Sequence, residues 1–127
     1  MSDLKILIVE DSAMAQRMYK KILSRLQYKN YTIANDGVSA LEILKETDAT
    51  APFEIVLCDW NMPEMDGIGF VKALRKSAEH KKLPVIMVTT ETEKDRILEA
   101  VKSGINHYIV KPFTAETLQE KIKEVTT

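Results

Sequence analysis

The chain has 127 residues and 18 Lys and Arg against 19 Asp and Glu, a formal net charge of -1 that gives no basic field for nucleic acid. This length, with 45% hydrophobic residues, suits one domain over 1–127 with a core of its own and leaves no room for a second of ordinary size. The single cysteine, Cys58, excludes an internal disulfide, and no apolar run approaches a signal segment or a membrane span, so a cytoplasmic protein without a membrane partner is expected.

In chain order, the first strand is predicted at Leu4 to Val9 (LKILIV). A helix then places Met14, Met18 and Ile22 on one face. Tyr31 to Ala34 (YTIA) is short enough for an edge strand, and Val38, Leu41 and Leu44 mark the next helix. Thr47 to Pro52 is a polar surface loop leading to Ile55 to Cys58 (IVLC), a strand followed by a helix bearing Val71 and Leu74. Val85 to Thr89 (VIMVT) and Tyr108 to Val110 (YIV) are the last strands. Helices with Ile97 and Val101, then with Leu118, Ile122 and Val125, follow them. Ser12 is placed to cap the first helix and Thr114 the last. Unbroken β-rich runs fit strands buried on both faces, and strict βα alternation fits a parallel sheet with right-handed crossovers. The expected class is a doubly wound α/β fold with five strands and five helices. Its flavodoxin-like order, 2-1-3-4-5, is borrowed from known sheets of this kind.

In such a sheet, ligands bind beyond the carboxyl ends of the strands where strand order reverses, here after the first and third strands. Those ends carry Glu10 with Asp11, and Asp59. One acid at a strand end is ordinary solvated surface. Three at neighbouring ends repel one another, a conflict that a hard divalent cation such as Mg2+, held by oxygen ligands, removes. Thr89 ends the fourth strand with a hydroxyl able to donate to a phosphoryl oxygen, and Lys111 follows the fifth with a compact ammonium. Pro112 is expected to aim that lysine through a fixed peptide.

The runs IVED at 8–11, CDWNMPEMDG at 58–67, MVTTE at 87–91 and YIVKPF at 108–113 together resemble bacterial response-regulator receivers, with compatible spacing from Leu4 to Val125. DWNMP and KPFTAETL look closest to the chemotaxis members, one of which is itself a standard example of the 2-1-3-4-5 order. The resemblance implies a receiver domain that takes a phosphoryl group on Asp59 from a histidine kinase or a small phosphodonor. It implies Mg2+ held by Glu10, Asp11, Asp59 and the backbone carbonyl of Asn61, with Thr89 and Lys111 on the bound phosphoryl. Asn61 and Glu91 match positions that tune hydrolysis of the acyl phosphate, which implies a short-lived signal. Tyr108 matches the aromatic whose rotamer follows activation. With Ile97, Phe113 and Lys121 it implies an output face for a flagellar switch protein or another effector, a phosphatase being a further partner. Departures from the chemotaxis pattern are Glu10 for an aspartate, Thr90 for a small apolar residue, and Glu124 where the enteric protein has a cation. A phosphorelay shuttle or a phosphate sink is the alternative role.

Several residues are set aside. Cys58 reads as a small core residue with an unreactive thiol, and His80 and His107 have no partner at metal-ligand spacing. Met14, Met18 and Met87 read as core-facing, and Trp60 as partly exposed at the crevice mouth. A Mg2+-dependent phosphohydrolase needs a second acid two residues beyond its nucleophile, where this chain has Asn61. A nucleotide or flavin binder needs a glycine-rich cradle, where the turn after the first strand reads VEDSAM.

Overall fold

The computed structural model of the chain describes residues 3–126. Strands β1 (Ile6–Val9), β2 (Tyr31–Ala34), β3 (Ile55–Cys58), β4 (Val85–Thr89) and β5 (His107–Val110) alternate with helices. These are α1 (Ala13–Arg25), α2 (Gly37–Glu46), α3 (Gly67–Lys76), α4 (Lys94–Ser103) and α5 (Ala115–Thr126). All neighbouring strands pair in parallel in the order β2-β1-β3-β4-β5, the doubly wound arrangement expected. The ladder of β1 starts at Ile6 rather than Leu4, where Ile6 meets Tyr31 on one side and Ile55 on the other. β5 starts one residue earlier than predicted, with His107 paired to Ile86.

Alternation along each strand divides the core into two layers. Leu7, Val9, Val56, Cys58, Val85 and Met87 face Ala40 and Leu44 of α2, Phe70, Val71 and Leu74 of α3, and Ala100 of α4. Ile6, Ile8, Ile55, Leu57, Ile86, Val88 and Ile109 face Tyr19 and Leu23 of α1 and Leu118 and Ile122 of α5. Thus β1, β3 and β4 are buried on both faces, which is why they read as unbroken apolar runs.

The helix stripes differ from the predicted ones in three places. In α1 the buried pair is Tyr19 and Leu23, one position round from the predicted stripe; Met18 and Ile22 flank it half-buried, and Met14 is 74% exposed. Val38 and Val101 are likewise exposed, while α2 and α4 turn the small residues Ala40, Ala100 and Ser103 inward. Small side chains let a helix sit close to the sheet, so the larger apolar residues beside them are left outside. Ser12 and Thr114 cap as expected, accepting the N–H of Ala15 at 3.3 Å and of Thr117 at 3.1 Å.

One structural residue escaped the sequence reading. The Arg75 guanidinium, at the end of α3, donates to the carbonyls of Gly104 (2.8 Å), Leu83 (2.7 Å) and His80 (3.1 Å), and to Asn106 Oδ1 (3.0 Å). Burial pushes its pKa down, consistent with a cation surrounded by backbone acceptors rather than water. Gly104 ends α4 at φ 113°, a left-handed conformation that leaves its carbonyl open to the arginine. Replacing Arg75 by Met keeps the stem and orphans these acceptors, so urea denaturation should register a loss of about 2–3 kcal/mol. A change within about 0.5 kcal/mol would mean that water takes over the carbonyls without cost.

Candidate functional site

The site follows from the strand order. β1 lies between β2 and β3, so the chain leaves β1 to one side and returns on the other, opening a crevice at their carboxyl ends. Val9 is paired to Cys58 across the ladder, which places the next residues, Glu10 and Asp59, side by side. Their backbones continue the sheet: Asp59 N–H donates to the Val9 carbonyl at 3.0 Å and Glu10 N–H to that of Ala34 at 2.9 Å. One carboxylate oxygen each from Glu10, Asp11 and Asp59 falls within 4.8 Å of the others.

The three acids are not equivalent. Glu10 is 1% exposed, and both of its oxygens are engaged: Oε1 by Lys111 Nζ at 3.1 Å, Oε2 by the Ser12 N–H at 3.0 Å. Gln16, one helical turn on from Ser12, donates to the Glu10 carbonyl at 2.6 Å and to Asn35 Oδ1 at 2.9 Å, securing the loop from behind. Asp11 is exposed. Asp59 stands between them, its Oδ1 accepting the Trp60 N–H at 2.8 Å and its Oδ2 lying 3.7 Å from Lys111 Nζ. Burial and then the Glu10 carboxylate push the Asp59 carboxyl above its ordinary range, Lys111 and the Trp60 N–H oppose this, and Asp11 adds to the rise. One ammonium thus pairs with two of the three clustered acids, and the oxygen donor set suits a hard divalent cation.

Lys111 reaches the crevice from β5 through a backbone N–H donated to the Thr89 carbonyl at 2.8 Å, and its peptide to Pro112 is cis. Thr89 is fully buried, and its Oγ1 accepts the Glu91 N–H at 3.3 Å. The Tyr108 hydroxyl donates to the Glu91 carbonyl, and burial, then the Glu91 carboxylate, raises the phenol's pKa. Glu91 therefore joins Thr89 to Tyr108. Asn61 is exposed in the loop following Asp59.

The remaining residues lie apart from the crevice. Phe113 packs on Tyr19 with ring centroids 6.0 Å apart, Lys121 pairs with Glu124 at 3.7 Å, and Ile97 is half-buried on α4. His107 sits 3.1 Å from Glu124 and His80 3.2 Å from Ser77 Oγ, local pairings with no metal-ligand geometry. Burial pushes the Cys58 thiol well up, as a core role requires.

Trp60 corrects an expectation. It is only 2% exposed: its ring belongs to the buried apolar cluster under the sheet, and the Arg96 guanidinium lies over it, 4.3 Å from the centroid. Gln16, Arg96 and Gly67, whose N–H donates to the Trp60 carbonyl at 2.7 Å, are residues at this site that sequence reasoning missed. Gly67 had a weak signal in the turn sequence MDG, whereas Arg96 is one cation among several on a charged helix.

Comparison with known proteins agrees with this fold. The sequence model of the response regulator receiver domain matches residues 6–123. The chain is 45% identical to chemotaxis protein CheY1 of Helicobacter pylori over 122 residues, 96% of each protein. It is 43% identical to chemotaxis protein CheY of Pseudomonas aeruginosa, covering 96% of this chain and 95% of that one. The solved structure of Vibrio cholerae chemotaxis protein CheY4 superposes with a TM-score of 0.86 at 34% identity, over 97% of this chain and 98% of the other.

Proposed function

Because the chain belongs to the response regulator receiver domain family, we propose that its phospho-accepting role is carried by Asp59 and read out by a partner in chemotaxis or flagellar motor control. The observation that supports this most is Asp59 itself. It is a carboxylate held by one oxygen on a backbone N–H, faced by one ammonium, and crowded by two further acids at a strand-order reversal. An Asp59 oxygen attacks the phosphorus of a kinase phosphohistidine or a small phosphodonor such as acetyl phosphate. The O–P bond forms as the bond to the leaving imidazole or acetate breaks, and the imidazole leaves with a proton.

Lys111 already sits beside both Asp59 and Glu10, so charge on the transferred group meets a cation without reorganisation. The Thr89 hydroxyl, at the carboxyl end of β4, would donate to a phosphoryl oxygen. Asp11, Asp59 and the Asn61 carbonyl would hold Mg2+, with Glu10 behind them. When bound, the ion supplies neutralisation of the phosphoryl oxygens. The module catalyses only its own phosphorylation and dephosphorylation, Asn61 and Glu91 setting the rate of the latter. Tyr108, Ile97, Phe113 and Lys121 form the face that a flagellar switch protein or another effector reads, with a histidine kinase upstream and a phosphatase as a further partner. A phosphate sink or relay shuttle uses the same chemistry. That second reading is favoured by Glu124, an acid bound to both His107 and Lys121 on the output side.

Acetyl phosphate with Mg2+ should add one hydroxylamine-labile phosphoryl group by intact mass, mapped to Asp59. EDTA or Asp11→Asn should slow the addition by about tenfold or more. Labelling at another residue, or labelling indifferent to EDTA, contradicts the proposal.

A further inference from the structure

We propose that Tyr19 of α1 is a positioning residue for phosphoryl acceptance: its ring braces Phe113 and so holds the Lys111 ammonium beside Asp59 and Glu10. The inference rests on the reading of Asp59 as phosphoryl acceptor and Lys111 as its counter-charge, and adds to them a residue of the core. The Lys111 side chain is 19% exposed, with Nζ 3.1 Å from Glu10 Oε1 and 3.7 Å from Asp59 Oδ2. Its backbone N–H is fixed to the Thr89 carbonyl at 2.8 Å. Only Pro112 and Phe113 separate it from Thr114, the residue that caps α5. Pro112 is exposed and has no N–H to donate. Phe113 is therefore the side chain that ties this connection to the body of the protein. It stands just before the cap, packs on the cluster that holds Leu118 of the first turn, and meets Tyr19 with ring planes inclined at 39°. Tyr19 is 1% exposed, and burial, then the Glu10 and Asp59 carboxylates, push its phenol well above the ordinary range. Its ring thus stays neutral, within the field of both acids that the ammonium pairs with.

The consequence is one of placement. The fixed φ of Pro112 leaves little slack between Phe113 and Lys111, so Phe113 sinking into space left by a smaller residue at Tyr19 draws the Lys111 backbone with it. The ammonium works by lying where charge develops, and misplacing such a group by about 1 Å costs up to about 100-fold. The long flexible stem of lysine recovers part of that distance, so the expected loss is about tenfold. The contact is between rings, so phenylalanine should serve in place of Tyr19.

The test compares wild type, Tyr19→Phe, Tyr19→Leu, Phe113→Leu, Lys111→Ala, and Lys111→Ala combined with each leucine variant, with circular dichroism confirming the fold. Without metal, trace acetic anhydride labelling mapped by mass spectrometry should modify Lys111 about threefold faster in Tyr19→Leu and Phe113→Leu, and at the wild-type rate in Tyr19→Phe. With Mg2+, acetyl phosphate should label Asp59 about tenfold more slowly in both leucine variants. Neither should slow it further once Lys111 is replaced, because the brace acts through that ammonium. Lys111 labelled at the wild-type rate in both leucine variants overturns the brace. So does slowing of equal size with and without Lys111, which would mark a general loosening of the core. Tyr19→Phe as slow as Tyr19→Leu also overturns it, by assigning the role to the hydroxyl. Should Tyr19→Leu fail to fold, Phe113→Leu carries the same comparison from the other ring. Failure of the underlying reading is separately visible as wild type that takes no phosphoryl group on Asp59, or Lys111→Ala that takes it at the wild-type rate.

Discussion

Asp59→Asn is expected to abolish phosphoryl acceptance, by more than about 1,000-fold, and at the same time to stabilise the metal-free chain by about 1 kcal/mol at pH 7. The first effect is chemical: a neutral amide oxygen is a poor nucleophile toward phosphorus and forms no acyl phosphate. The second follows from the crowding of acids. Burial and Glu10 raise the Asp59 carboxyl above its ordinary value, and Lys111 only partly offsets them. A folded-state pKa above the unfolded one means that ionising Asp59 costs stability. The cost is absent below the ordinary aspartate value of about 3.9, grows as pH rises through the window up to the raised folded value, and is complete above it. Asparagine keeps the shape, still accepts the Trp60 N–H, and removes the charge. Urea denaturation of both proteins at neutral pH should therefore favour the variant, and the gap should shrink as pH falls through that window. A variant less stable than wild type at pH 7 would show that the Lys111 pairing outweighs the repulsion, and that the acids are not in conflict.

Much of this site was legible because the doubly wound topology itself collects strand ends. Once β1, β3, β4 and β5 were recognised as buried runs, Glu10, Asp11, Asp59, Thr89 and Lys111 had to emerge at one edge. The division of labour among the acids was not legible. Both Glu10 and Asp59 follow a strand end directly, yet Glu10 is sealed by Lys111 and the Ser12 N–H while Asp59 keeps an oxygen facing the crevice. That difference arises from the path of a loop, which residue type does not encode. Side-chain cover was equally hidden. Trp60 reads as partly exposed from its place in the chain, yet it joins the buried apolar cluster beneath the crevice and its ring is overlaid by Arg96, from a helix more than thirty residues later. The predicted α1 stripe failed for a related reason: Met14, Met18 and Ile22 have helical spacing, but larger burial was available one position round, at Tyr19 and Leu23.

Gly67→Ala should be the most damaging single-methyl change near the site, costing about 2–3 kcal/mol and impairing phosphoryl acceptance as well. Gly67 opens α3, where alanine would ordinarily be favoured by up to about 1 kcal/mol. Here the close approach of two loops reverses the sign. The Gly67 N–H donates to the Trp60 carbonyl at 2.7 Å, drawing the helix start against the segment that carries Asp59. A Cβ on Gly67 would stand 2.5 Å from the Asp59 carbonyl oxygen and 2.9 Å from Trp60 Cα, both backbone atoms, with Met87 Sδ at 3.1 Å. Backbone cannot rotate aside as a long side chain can, so relief requires moving the Asp59–Trp60 peptide, and with it the N–H that holds Asp59 Oδ1. Gly69, two residues on in the same helix, is the control. Its Cβ would meet only side chains, Asp66 Oδ1 and Met65 Cγ, each at 3.2 Å, so Gly69→Ala should fall within about 1 kcal/mol of wild type. Urea denaturation of both variants, with acetyl phosphate labelling of each, checks the pair. If Gly67→Ala labels at the wild-type rate and loses under 1 kcal/mol, the Asp59 loop tolerates displacement, and the site does not depend on its close seating against α3.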